Sequence, residues 1–99
     1  MKPANRAPIY AACVYPELAE LVRRHGYALA VHGSLMRDFD LIAIPWTETP
    51  SIQQEVIDEI ISTFSVKLIG QSERKGCRDV YVLSWMGEAF MDFSFIRVD

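Results

Sequence analysis

Two aspartates, Asp38 and Asp40, stand one residue apart at the start of an apolar run that continues to Ile44. Alternate side chains of a β-strand point to the same side, so these two carboxylates are expected on one face, about 7 Å apart. A third carboxylate, Asp92, lies within the apolar run 89–96. Carboxylates in partly dry surroundings need a compensating charge, because desolvation is costly and like charges repel. The three aspartates therefore predict a site that holds something positive.

Two kinds of positive partner are compatible with these residues. Arg37, Arg78 or backbone amides would neutralise the carboxylates in a purely structural arrangement. Three carboxylates that converge from two strands also describe a divalent-metal site, for which Mg²⁺ or Mn²⁺ is the typical ion. Both interpretations stay open on the residues alone, and the spacing favours the metal.

The surroundings of the aspartates contain further candidates for ligand contacts. Arg37, Lys75 and Arg78 carry the charge that phosphate groups require, although a charged loop is more often simply solvated. Trp46 and Trp85 could stack on a nucleobase, although aromatic residues at strand ends more often belong to a core or an interface.

Apolar periodicity and turn residues predict the elements that position these side chains. Pro16 and Pro50 each fit the first turn of a helix, the second after a capping Thr49, and Gly26 is a stop signal. Residues 1–12 are expected to form an extended N-terminal arm, and the polar stretch 71–78 a mobile surface loop. A hairpin turn is expected at Met86-Gly87-Glu88. The predicted helices are about 15–25 and 50–64, and the predicted strands are 27–31, 39–44, 66–69, 79–85 and 89–98.

The order of these elements predicts the fold class. The predicted order is helix, strand, strand, helix and three further strands. This order is typical of an α/β (α+β) domain with a mixed five-stranded sheet and two helices packed on one side. The 99 residues suit a single domain. The aromatic run at Phe90, Phe93 and Phe95 could cover a core or a dimer face, and we expect a homodimer.

Composition excludes several classes of protein. The formal net charge is −3, and the longest basic run is the pair Arg23-Arg24, so no broad nucleic-acid-binding surface is encoded. The N-terminus does not read as a signal peptide, and no apolar stretch reaches the roughly 20 residues that a membrane span needs. We expect a cytoplasmic protein without membrane contact.

The motif formed by Gly33-Ser34 after an apolar strand, and Asp38-x-Asp40 at the start of the next, resembles the signature of the DNA polymerase beta type nucleotidyltransferase superfamily. Asp92 lies where that superfamily keeps its third carboxylate. The resemblance implies that Gly33 and Ser34 contact the triphosphate. It also implies that the first two aspartates bind metal ions, and that the third completes the site and helps to activate the attacking hydroxyl.

The segments 27–46 and 92–94 also resemble a group of small bacteriophage-encoded proteins related to that fold. This resemblance implies a minimal nucleotidyltransferase-like domain that acts in the host cytoplasm. In active superfamily members a longer segment, with most of a helix, separates the glycine-serine turn from the paired carboxylates, whereas here only Leu35, Met36 and Arg37 intervene.

Three functions are compatible with these expectations. The first is Mg²⁺- or Mn²⁺-dependent transfer of a nucleotidyl group to a protein, RNA or small-molecule acceptor. The second is a catalytically inactive phage accessory or anti-defence protein that binds a nucleotide, or a host or phage protein. The third is a modifying partner of the toxin–antitoxin type.

Overall fold

The computed structural model describes residues 7–36, 38–85 and 89–97. Within them, three helices and five strands follow one another along the chain. The helices are α1 (Ala7–Cys13), α2 (Tyr15–Arg24) and α3 (Gln53–Phe64). The strands are β1 (Tyr27–His32), β2 (Phe39–Pro45), β3 (Lys67–Lys75), β4 (Arg78–Trp85) and β5 (Ala89–Ile96).

The strands form one mixed five-stranded sheet in the order β1-β2-β5-β4-β3. Strand β2 pairs with β5 in parallel, and the other neighbouring pairs are antiparallel. The mixed α+β sheet predicted from the order of elements is therefore confirmed, and β2 and β5 lie side by side near its middle.

The two faces of the sheet differ. On one face, fully buried residues of β2 and β5 pack against buried residues of α2 and α3 and form the hydrophobic core. Because side chains alternate along a strand, the residues between them project from the opposite face, which we call the open face. Asp40 of β2 and Asp92 of β5 belong to the open face, since both of their chain neighbours are fully buried core residues.

Helix α2 and its exit turn agree with the sequence prediction. Leu18, Leu21 and Val22 are buried on one side of the helix, and a proline occupies its first turn. Gly26 follows with a φ of +90°, and a Cβ at this position would lie only 2.6 Å from Thr47 Oγ1. The stop signal is thus enforced by close packing as well as by backbone conformation.

Helix α3 begins later than the cap signal at Thr49 predicts. Its N-cap is Ile52, and no described side chain caps it. The preceding residues contact the end of α2 instead. The Ser51 N–H donates to the His25 carbonyl at 2.8 Å, and Ser51 Oγ lies 2.8 Å from His25 Nδ1. These long-range bonds hold residues 49–52 as a connection, so the prediction of a helix starting at 50 is wrong by three residues.

The prediction of an extended arm over residues 1–12 is wrong for its second half, because helix α1 begins at Ala7. Seven residues are too few to show a clear helical period, which is why the pattern did not indicate a helix. Ala11 packs against the core cluster, so tertiary contact accounts for the helix. Residues 1–6 lie outside the described residues.

The prediction of a mobile loop over 71–78 is also wrong. Strand β3 continues to Lys75, and β4 begins at Arg78. The two strands form an antiparallel hairpin with a register shift between Ile69 and Glu73. Most of β3 is exposed, so its polar residues show no apolar alternation to mark a strand.

Two further expectations concern the hairpin turn between β4 and β5 and contact with a membrane. The predicted hairpin turn at Met86-Gly87-Glu88 falls outside the described residues, although β4 and β5 on either side of it pair as expected. No helix in the described part of the chain is long and apolar enough to cross a membrane.

Candidate active site

The parallel pairing of β2 with β5 brings two of the predicted carboxylates together. Asp40 and Asp92 are direct partners in the register of this pair, and strands in a sheet lie about 4.8 Å apart. Asp38 precedes β2 by one residue. One carboxylate oxygen from each of the three aspartates lies within 4.8 Å of the other two, and all three residues are partly buried. We call this group the aspartate cluster.

The aspartate cluster suits a divalent cation. Carboxylate oxygens are hard donors, and Mg²⁺ and Mn²⁺ are the ions that all-oxygen sets favour. The residues also show the strain of like charges. Burial raises the pKa of the Asp92 carboxyl, and the charge of Asp40 and a hydrogen bond with it raise that pKa further, while Lys75 and His32 act in the opposite direction. A cation among the three carboxylates would relieve this repulsion.

The Gly33-Ser34 turn lies directly against the cluster. Gly33 has a φ of +76°, and a Cβ at this position would collide with Asp40 Oδ2. Only glycine allows the backbone to approach the carboxylate this closely. The exposed Ser34 accepts a hydrogen bond at its Oγ from the Met36 N–H, at 3.3 Å. The Gly33 backbone therefore lies beside Asp40, and contact of Gly33 and Ser34 with phosphate stays a prediction.

The cationic candidates are distributed differently. Lys75, at the end of β3, is close enough for its charge to lower the pKa of Asp92, and its Nζ lies 4.0 Å from Glu73 Oε2. Arg78 donates a hydrogen bond to Ser94 Oγ at 3.3 Å. Ser94 lies two residues after Asp92 on β5. Arg37 lies outside the described residues. Of the three, Lys75 is the one that the described structure couples to the cluster.

Two features of the site were not predicted from the sequence. His32 is the register partner of Asp40 across β1 and β2, and its buried Nε2 has no hydrogen-bond partner among the described residues. Its position immediately before Gly33 was the available signal in the sequence.

The second feature is a cavity of about 230 Å³ beside Asp92, at the register shift of β3. No sequence signal marks it, because it depends on how β3 pairs with β4. The cavity is lined by Ile69, Gly70, Gln71, Glu73 and Lys75 of β3, Val80 and Val82 of β4, and Asp92.

The predicted stacking residues lie apart from this arrangement. Trp46 follows β2 at the opposite end of that strand from Asp40 and is 59% exposed. Trp85 is packed against the core cluster. A role for either in holding a nucleobase at the cluster stays a prediction that the positions do not favour.

The fold matches solved nucleotidyltransferase structures. No protein-family model and no curated protein matches the chain. A cytoplasmic RNA terminal U-transferase superimposes with a TM-score of 0.64 at 15% identity, over 96% of this chain and 30% of that one. The Cid1 poly(U) polymerase, solved with Mg and 3′-dATP bound, superimposes with a TM-score of 0.65 at 18% identity, over 95% of this chain and 32% of that one.

These similarities establish the fold. The chain has a nucleotidyltransferase fold, and it spans about a third of the length of each of the two larger proteins. The minimal nucleotidyltransferase-like architecture expected from the motif is therefore confirmed at the level of fold.

Proposed function

We propose that this protein transfers a nucleotidyl group from a nucleoside triphosphate to an acceptor hydroxyl, in a reaction that depends on Mg²⁺ or Mn²⁺. The observation that carries the proposal is the convergence of Asp38, Asp40 and Asp92 on the open face, against the Gly33-Ser34 turn. The nucleotidyltransferase fold supports it, as does the presence of Mg and a nucleotide in one of the similar structures.

Each side chain has a role in this proposal. Asp38 and Asp40 hold the metal, with Asp92 completing its site, and when bound the metal neutralises charge on the triphosphate and stabilises the charge that develops on the leaving group. The Gly33 backbone N–H and the Ser34 hydroxyl donate hydrogen bonds to phosphate oxygens.

The acceptor side of the site is assigned to Asp92. Its carboxylate accepts the proton of the attacking hydroxyl, and a raised pKa makes it a stronger base than an ordinary aspartate. The cavity beside Asp92 has room for a small acceptor group, and Lys75 on its wall would attract an acceptor that carries negative charge.

A nucleotide-transfer assay tests the proposal. Purified protein is incubated with each of the four α-labelled nucleoside triphosphates and Mg²⁺ or Mn²⁺, and label transfer and pyrophosphate release are measured. We expect turnover in the wild type and a loss of about 100-fold or more in Asp40→Asn, which keeps the shape but removes the charge.

The matched control for this assay is Asp58→Asn. Asp58 is an exposed aspartate of α3 whose carboxylate accepts a hydrogen bond from Gln54 at 2.8 Å, away from the cluster. This variant should retain full activity. If the wild type shows neither turnover nor metal-dependent nucleotide binding with any of the four nucleotides, the proposal is wrong.

A second function, nucleotide binding without chemistry, is favoured by the short connection between Gly33 and Asp38. Among its described residues there is no helix whose N-terminus could hold phosphate. The distinguishing result is metal-dependent binding of a nucleoside triphosphate, seen by calorimetry, with no pyrophosphate release. In this second function the nucleotide-bound protein acts on a host or phage protein.

The biological setting of either function rests on the sequence resemblance alone. On that basis we assign the protein to the DNA polymerase beta type and to a bacteriophage context, in the host cytoplasm. Modification of a toxin–antitoxin partner is one acceptor class within this setting. Adding a host lysate to the transfer assay and following labelled protein or RNA would identify the acceptor.

A further inference from the structure

A serine, a histidine and a glutamate form a hydrogen-bonded series outside the candidate active site. Ser51 Oγ lies 2.8 Å from His25 Nδ1, and His25 Nε2 lies 2.8 Å from Glu59 Oε1. We call these three residues the serine triad. His25 lies before the start of β1, whereas Asp40 pairs with His32 at the end of that strand. The serine triad is therefore separate from the aspartate cluster.

The two partners of His25 determine which ring nitrogen carries the proton of the neutral imidazole. The hydrogen bond with His25 lowers the pKa of the Glu59 carboxyl, so Glu59 is ionised at neutral pH. An ionised carboxylate only accepts hydrogen bonds, so the proton between His25 and Glu59 belongs to Nε2. Nδ1 is then an acceptor, and the Ser51 hydroxyl donates to it. A nucleophile bonded to a base, which is oriented by a carboxylate, is the arrangement that activates a serine.

Further hydrogen bonds hold the serine triad in place. The Ser51 N–H donates to the His25 carbonyl at 2.8 Å, and the Tyr27 hydroxyl donates to the Ser51 carbonyl at 2.6 Å. The second carboxylate oxygen of Glu59 accepts a hydrogen bond from Arg24 at 3.4 Å. The backbone of the serine and the carboxylate that orients the histidine are thus both fixed by residues outside the triad, as a preorganised site requires.

The start of α3 provides hydrogen-bond donors next to the serine. Ser51 immediately precedes Ile52, the N-cap of this helix, and no described side chain caps it. Among the described residues, the N–H groups of Ile52 and Gln53 have no hydrogen-bond partner. The first N–H groups of a helix attract negative charge. The N–H of the residue that follows a nucleophilic serine is also a common donor to the oxyanion of an acyl-transfer reaction.

Space for a substrate lies beside the same segment. A cavity of about 520 Å³ has Pro50 and Gln53 among its lining residues. These two residues flank Ser51 and Ile52 in the chain. The cavity wall carries charged residues of both signs, which suits the polar alcohol part of an ester. Ile52 is a large apolar side chain and is 66% exposed, which suits contact with an apolar acyl group.

We infer that Ser51 is the nucleophile of a second site, which hydrolyses carboxylic esters. Ser51 Oγ bonds to the ester carbonyl carbon, its proton passes to His25 Nδ1, and the electron pair of the C=O bond moves onto the carbonyl oxygen. The N–H groups at the start of α3 donate to this oxyanion. The electron pair then returns, the bond to the alcohol oxygen breaks, and the proton passes from His25 to that oxygen.

The second half of the reaction regenerates the serine. Water bonds to the carbonyl carbon of the acyl-serine and gives a proton to His25 Nδ1. The bond between that carbon and Ser51 Oγ then breaks, the proton returns to Oγ, and the carboxylic acid leaves. Glu59 is a positioning residue, because it contacts only His25 and Arg24 and holds the imidazole in the required tautomer.

The first test is covalent labelling with a fluorophosphonate ester and acylation with p-nitrophenyl acetate, both in the presence of a chelator. Peptide mass spectrometry should find both adducts on Ser51 of the folded wild type, and neither adduct in urea. His25→Gln should slow the reaction by about 100-fold or more, because the base is lost. The control is Ser62→Ala, which removes an exposed hydroxyl of α3 and should react like the wild type. A folded wild type that carries no adduct on Ser51 overturns the inference.

Nitrogen-15 NMR of the wild type tests the proton arrangement without a variant. At about pH 8, where a free imidazole is neutral, the chemical shifts of His25 should show a protonated Nε2 and an unprotonated Nδ1. In Glu59→Gln the other tautomer should become populated, because an amide donates as well as accepts. A wild type whose Nδ1 carries the proton overturns the inference, since His25 would then donate to Ser51 and could not act as its base.

Discussion

Gly33 couples the backbone of the turn to the position of the Asp40 carboxylate, and Gly33→Ala tests that coupling. Two separate penalties follow from the structure. Alanine in the left-handed region costs about 1–2 kcal/mol, and Gly33 has a φ of +76°. The new Cβ would also collide with Asp40 Oδ2, and forcing an extra methyl group into a packed site costs about 1–3 kcal/mol. The free energy of unfolding should fall by about 2–5 kcal/mol.

Gly76→Ala separates the two penalties. Gly76 has a φ of +64°, close to that of Gly33, but a Cβ there would meet no heavy atom within 4 Å. This control should therefore lose only the backbone contribution, about 1–2 kcal/mol. Urea unfolding of the three proteins in the presence of a chelator measures both losses without any contribution from bound metal.

Metal binding provides the functional side of the same prediction. In Gly33→Ala the Asp40 carboxylate must move, so the affinity for Mn²⁺, measured by calorimetry, should fall by about tenfold or more, as it does when the orientation of a ligand is lost. Gly76→Ala should bind Mn²⁺ like the wild type. The reasoning is refuted if the two variants lose equal stability, or if Gly33→Ala keeps the full affinity.

Three further predictions concern charge and packing. Burial and the charge of Asp40 raise the pKa of Asp92 above its usual 3.8, so ionisation of Asp92 destabilises the metal-free fold as pH rises through the raised value. Asp92→Asn should therefore raise the Tm at pH 7 and lose this advantage below the ordinary pKa. An unchanged or lower Tm at pH 7 would contradict this prediction. The hydrogen bond with His25 lowers the pKa of Glu59, so ionised Glu59 stabilises the fold above its ordinary pKa of 4.5. Urea unfolding should therefore show a stability difference between the wild type and Glu59→Gln that shrinks as pH falls below that value. Phe95 is fully buried, so Phe95→Ala should reduce the free energy of unfolding by about 3–5 kcal/mol. The control is Phe90→Ala, because Phe90 is partly exposed. Equal losses of stability in the two variants would contradict the placement of Phe95 in the hydrophobic core.

The main motif of the site was predictable because its residues depend on local chemistry. Asp38 and Asp40 share a face wherever they lie on a strand, since that follows from the alternation of side chains. Asp92 could also be identified without any knowledge of the fold, because a charged residue inside an apolar run is unusual. The core helices were predictable for a similar reason, because their apolar residues repeat at the helical period.

Other elements could not be predicted because long-range contacts decide them. The start of α3 depends on hydrogen bonds between Ser51 and His25, which are distant in the chain. Strand β3 extends to Lys75 because β4 pairs with it, and its exposed polar residues give no periodic signal. Helix α1 is too short to form without the core against which Ala11 packs.

The sequence by itself determined which residues could hold a cation and which turn would stand next to them. Only the tertiary structure decided that Asp92 lies beside Asp40, because that neighbour relation depends on the parallel register of β2 and β5. The same register sets the burial and repulsion that raise the pKa of Asp92. Side-chain chemistry is a local property, whereas distance and dielectric environment exist only once the strands have paired.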